Sequence, residues 1–231
     1  VRDIEPEFWH HLRDEFAGRQ WFDRALVLGY AALTGLVVVA FTVLADAASR
    51  GFDLLRGATA IGPGPALVWT PLLTVVVLWW TQRFAPGSLG SGIPQVVRAL
   101  DGDLPAAQQS WLVSLKVSLH KVGVVSGGLL AGPSIGREGP TVQVGAGVMV
   151  HAKRWLSPQS DIDAHDLMVA GAAAGIAAAV NTPLGGIVFA LEQLSRRRSI
   201  AHSALVISSI VLSGLALLPV PSATTAAKGG T

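Results

Sequence analysis

The sequence contains no cysteine, so disulfides and thiolate chemistry are excluded outright. Charge is scarce as well: Asp, Glu, Lys and Arg make up 14% of the chain, where an ordinary soluble domain has about 25%. The formal net charge is only +2, with no aromatic–basic interleaving, so nucleic acid is not an expected partner. Tyrosine occurs once, as Tyr30. The six histidines, His10, His11, His120, His151, His165 and His202, show no metal-ligand spacing beyond the adjacent His10–His11. No metal or cofactor is therefore expected. Neither a nucleophile elbow nor a phosphate-binding loop occurs, which leaves an enzyme and its catalytic residues without support. The opening residues do not read as a signal peptide, because Asp3, Glu5, Glu7, Asp14 and Glu15 interrupt them.

What is abundant is apolar: 51% of the 231 residues are hydrophobic and 26 are glycine. Glycine is tolerated in membrane helices that pack closely. The expectation is an all-α polytopic membrane protein in three parts. Residues 1–24 form an amphipathic N-terminal helix in which Phe8, Trp9, Leu12, Phe16 and Trp21 alternate with charge. It either lies on the lipid surface or packs on the rest of the chain. Residues 25–218 form the transmembrane part, and 219–231 a flexible tail.

Within the middle part, Ala25–Ala48 is a clean spanning segment with Asp46 near its end. Ser49–Pro65 reads as a loop closed by the breaker Gly62-Pro63-Gly64-Pro65. Ala66–Trp80 ends in an aromatic belt, Trp79-Trp80, with Arg83 as basic flank. Ser110–Leu130 is another span; its Lys116 and His120 share a helix face that must meet protein or water. Leu167–Val180 is Ala/Gly-rich, a composition that lets helices touch backbone to backbone. Arg196-Arg197-Arg198 marks a cytoplasmic flank, and Ser199–Leu218 is the last span.

Three segments, Gln95–Leu100, Thr141–Val150 and Leu184–Leu194, are too short to cross about 30 Å of hydrocarbon. Short, broken and tilted helices bring helix ends to the membrane midplane, where ions bind. Two of the interruptions hold the candidate site. One is Gly90-Ser91-Gly92-Ile93-Pro94, the other Gly136-Arg137-Glu138-Gly139-Pro140. In each, proline pre-sets a helix start, leaving free amides and a positive dipole end before it. Ser91, Gly92, Ile93, Gly136, Arg137 and Gly139 are the candidate anion-binding residues. Glu138 is a carboxylate among apolar sequence, costly at membrane depth and by default functional. Pairing with Arg137 is disfavoured, because neighbours at i,i+1 do not face each other on a helix. Ser91 has a plainer alternative, that of a helix cap.

Together with Gly175-Ile176-Ala177-Ala178-Ala179-Val180-Asn181-Thr182-Pro183-Leu184-Gly185-Gly186, these motifs resemble the CLC chloride channel and chloride/proton antiporter family. Their order and separations fit, and Lys121 falls where that family has a lysine. The resemblance runs from about Ala25 to Leu218. It implies that Ser91 offers a hydroxyl to a central chloride. It also implies that Glu138 is the gating glutamate, occupying an anion position and swinging away when protonated. Serine at position 91, where some relatives have proline, points to chloride rather than nitrate. A homodimer, a surrounding lipid bilayer and a bacterial inner membrane are further implications. Transported chloride, with protons as a second ion, takes the place of a cofactor.

Two departures qualify the resemblance. Coupled antiporters usually carry two adjacent glutamates where this chain has Glu192-Gln193. Gln193 occupies the proton-relay position, and an amide does not carry protons near neutral pH. A channel, a weakly coupled exchanger and another proton route all stay open. The sequence also matches only the first half of the family's inverted repeat, and Tyr30 does not supply the second half's tyrosine. Unpaired amides in a low-dielectric site cost free energy, so a second half is expected. It could lie in a longer polypeptide, in a separate partner or in an antiparallel copy, the last disfavoured by Arg196–Arg198. The rival to transport is a truncated, non-transporting scaffold that keeps the motifs.

Overall fold

The computed structural model describes residues 6–57, 64–100, 104–158, 160, 162–180, 182–189, 192, 210 and 211, with side chains from residue 21 onward except at 106 and 183. Among them the regular structure is entirely helical. Helix α1 spans Pro6–Gly57 without a break, passing straight through the boundary expected at residues 24–25. The loop expected over Ser49–Pro65 is corrected: Ser49–Gly57 stays helical, because Leu54, Leu55 and Arg56 favour helix and the breakers come only after them. Hydroxyls along α1 bond back one turn, Thr34 to the Tyr30 carbonyl at 2.8 Å and Thr42 to that of Val38 at 2.9 Å. Such bonds leave no side-chain donor unmet in an apolar setting.

Helix α2 (Gly64–Phe84) follows, then a 3-10 turn at Pro86–Ser88 and the short α3 (Ile93–Leu100). The span expected at Ser110–Leu130 is split into α4 (Ala106–Leu112) and α5 (Leu115–Leu130). Val113 and Ser114 are extended there, and Ser114 Oγ accepts the Val117 N–H, capping α5. A serine that offers the backbone this alternative starts a helix rather than continuing one. Then come α6 (Glu138–His151), α7 (Ala164–Val180) and α8 (Pro183–Phe189). Of the last expected span only Ile210 and Val211 are described; Arg196–Arg198, Gln193 and the tail lie outside the described residues.

Among the described residues, three stretches are long and apolar enough to cross a membrane: Trp21–Gly57, Gly64–Phe84 and Ala107–Leu130. Leu67, Leu72, Val75, Trp79 and Trp80 leave much of α2 apolar and exposed, a surface suited to lipid. Helix α6 is the opposite: Gly139–Met149 is buried without interruption. It forms the centre, ringed by α1, α3, α5 and α7. Its 14 residues give only about 21 Å, at 1.5 Å of rise each, less than the roughly 30 Å of a hydrocarbon core.

Glycine makes that crowding possible. A Cβ on Gly145 would lie 3.1 Å from the Gly175 Cα, and one on Gly175 would lie 3.0 Å from the Thr141 carbonyl carbon. Helices α6 and α7 therefore touch along their main chains. Around this seam Val142, Ala146 and Met149 pack in one core with Val169, Ala172, Ala173 and Ile176, joined by Val27 and Ala31 of α1 and Val96 and Ala99 of α3.

Candidate functional site

The first wall of the site is the turn before α3. Gly90 (φ 84°) and Gly92 (φ 114°) are left-handed on either side of Ser91, a conformation that glycine adopts without strain. The reversal exposes Ser91, whose hydroxyl has no hydrogen-bond partner among the described residues. It caps nothing. Gln95 takes that role: its Oε1 accepts the Gly92 N–H at 2.9 Å, and its Nε2 donates to the Leu89 carbonyl. The Gly92 amide, expected to face an anion, is thus engaged within its own turn. The first α-helical backbone bond runs from Val96 N–H to Gly92 O, and Pro94 has no N–H to leave unpaired.

The second wall is the start of α6. Thr141 N–H bonds the Arg137 carbonyl at 3.0 Å, which makes Arg137 the cap residue, and no side chain caps the helix. The amides of Glu138 and Gly139 consequently lack an intrahelical partner, and Pro140 has none to offer. The positive end of the α6 dipole lies here. Glu138 sits on this opening. Contrary to the expected apolar enclosure, it is exposed in this chain and its carboxylate has no hydrogen bond or ion pair among the described residues. Its Oε2 lies over Gly136, 3.4 Å from where a Cβ there would stand.

The two walls meet. A Cβ on Gly139 would lie 2.7 Å from the Ser91 carbonyl oxygen and nearer still to the Ser91 hydroxyl. One on Gly92 would lie 2.9 Å from the Gly139 carbonyl carbon. Only glycine at both positions lets the starts of α3 and α6 approach this closely. Ser91 and Gly92 are thereby brought against Gly139, one residue from Glu138, while Ile93 packs against the core.

Three supporting side chains were not singled out for these roles in the sequence. Arg137 Nη1 donates to Asp46 Oδ1 of α1 at 2.5 Å, so its charge is matched by α1 and not by Glu138. Lys121, fully buried on α5, donates to the carbonyls of Ser88 at 2.8 Å and Gly90 at 2.6 Å. Gln143, fully buried on α6, donates to the carbonyls of Gly87 at 2.9 Å and Leu112 at 2.8 Å. The hint for Gln143 was a single amide inside an apolar run, and its partners are long-range. His120 Nδ1 lies 2.8 Å from the Lys116 carbonyl, one turn back on its own helix.

Residues 73–229 match the family described as voltage gated chloride channel. This chain belongs to that family. The chain is 33% identical over 150 residues to the H(+)/Cl(-) exchange transporter ClcA of Vibrio parahaemolyticus, covering 65% of this chain and 30% of the relative. It is 32% identical over 183 residues to the ClcA exchanger of Yersinia pseudotuberculosis, covering 73% and 36%. Among solved structures it resembles a slow cyanobacterial Cl-/H+ antiporter, with a TM-score of 0.69 and 26% identity over 84% of this chain and 46% of that one. The chain therefore spans about a third to a half of the length of these relatives. It is an integral membrane chain with the all-helical, half-repeat architecture that its motifs indicated.

Proposed function

We propose that this chain forms one half of a chloride pathway, with Ser91 as a hydroxyl ligand and Glu138 as the gate. The observation that carries the reading is the meeting of two helix starts at Ser91 and Gly139. Unpaired amides and a serine hydroxyl converge there without a fixed cation, since Arg137 is held by Asp46 and Lys121 by carbonyls. Donors of this kind hold an anion weakly enough to release it, as conduction needs. A carboxylate at the same opening competes with chloride while ionised and yields when protonated.

The remaining features of the reading extend it to the whole protein. A second inverted half, outside these 231 residues, completes the donor set. The assembly is a homodimer in a bacterial inner membrane, works without a cofactor and catalyses no covalent reaction. Relatives named as H+/Cl- exchangers favour exchange over a channel, but glutamine at position 193 weakens proton coupling.

The test is chloride efflux from liposomes bearing the protein purified from its own membrane. Ser91→Ala is expected to raise the half-saturating chloride concentration by about tenfold, equivalent to roughly 1.4 kcal/mol. Glu138→Ala is expected to abolish the response of efflux to pH while leaving chloride movement intact. Absence of efflux from the unmodified assembly, second half included, would favour a non-transporting scaffold instead.

A further inference from the structure

The turn that leads to Ser91 has an unusual pattern of hydrogen bonds. Four successive carbonyls, those of Gly87, Ser88, Leu89 and Gly90, each accept a bond from a side chain. The donors are Gln143 of α6, Lys121 of α5 and Gln95 of α3. The amides of Ser88 and Leu89 close the 3-10 turn, while those of Gly90 and Ser91 have no partner among the described residues. The segment thus has its acceptors occupied and its last donors free.

For an anion this division matters, because each residue brings one N–H and one C=O. A carbonyl oxygen turned toward the site repels chloride, and rings of such oxygens are what cation filters use. Gln143 is the informative member. Both of its N–H groups are engaged with carbonyls, while its Oε1 is a buried acceptor without a partner among the described residues. Rotating the amide would set that oxygen against two carbonyl oxygens, so the chemistry fixes its orientation. A fully buried glutamine that leaves one group unmet in order to donate twice is placed for its donors, not for stability.

We propose that Gln143 is a positioning residue for anion selectivity, holding the Gly87 carbonyl in the protein interior so that this oxygen does not compete with the free amides of Gly90 and Ser91. Gln95 occupies the Leu89 carbonyl in turn, at the exposed edge of the segment. The inference rests on the chloride pathway proposed above. Neither glutamine contacts the anion; both act through the backbone of the turn.

The experiment measures chloride efflux from liposomes against chloride concentration, first for the unmodified protein and then for Gln143→Leu, Gln95→Met and Ser118→Ala. Ser118 bonds the carbonyls of Gln143 and Val144 and loosens the same α5–α6 contact without touching the turn. Gln143→Leu is expected to raise half-saturating chloride by about tenfold while the maximal rate stays within about threefold. Gln95→Met is expected to shift it in the same direction, and Ser118→Ala to leave it unchanged. Gln95 is only part-buried, so its variant decides the matter if Gln143→Leu does not fold. Unchanged half-saturation in the folded glutamine variants, or an equal shift in Ser118→Ala, overturns the role of the glutamines and leaves the pathway standing. No efflux from the unmodified assembly, purified from its own membrane with its second half, overturns both.

Discussion

Arg137 and Glu138 are neighbours in the chain, yet their charges do not meet. The guanidinium reaches back to Asp46 on α1, and the carboxylate lies over Gly136. That separation leaves the Glu138 carboxylate without an ion partner among the described residues, while Arg137 ties the cap of α6 to α1. The Asp46–Arg137 pair is partly exposed, 32% and 40% at the side chains, so its stabilisation is modest, roughly 0.2–1 kcal/mol. A double-mutant cycle of Asp46→Asn and Arg137→Gln, followed by thermal unfolding in detergent, should return a coupling in that range. A value near zero would mean that the pair is incidental. At this scale the sequence was partly legible. Ser91, Gly139 and Glu138 could be named because glycine and proline around them mark helix starts. The supports of the turn could not, since Lys121 and Gln143 bond to residues 31 to 56 positions away and no local periodicity encodes such distances.

Among the elements, the seam between α6 and α7 decides whether the site exists. Glycine at 145, 171 and 175 lets the two main chains touch, and α6 carries the site at its first turn. Gly145→Leu inserts a side chain where the Gly171 main chain already stands. It should lower unfolding stability by roughly 1–3 kcal/mol or more. Circular dichroism during heating in detergent would detect it, and an unchanged midpoint would contradict the packing described here. Element existence was easier to read than element ends. Apolar runs with Pro94 and Pro140 located α3 and α6, because proline at a helix start is a local rule. The split at Val113–Ser114 and the extension of α1 to Gly57 were missed. In the first case a serine cap outweighed an apolar run, and in the second helix propensity carried on past the last apolar residue.

On the scale of the whole molecule, the site lies open. Ser91 and Glu138 are exposed on one side of α6, whose middle is otherwise sealed by α1, α3, α5 and α7. An inverted second half would close the site with a matching pair of helix starts. Reconstituted alone, residues 1–231 should therefore give no chloride efflux above the liposome background, and efflux should return when the second half is supplied. Efflux from the isolated segment at the restored rate would show that this half suffices.

One last consequence follows from the unbroken course of α1. About a third of the way along it Asp23 grips the Ser157 turn through both of its carboxylate oxygens, and further along the same helix Asp46 grips Arg137. Those anchors are about 35 Å apart on a single stiff strut. With no hinge between them, the helix keeps the Ser157 turn and the cap of α6 at a fixed separation.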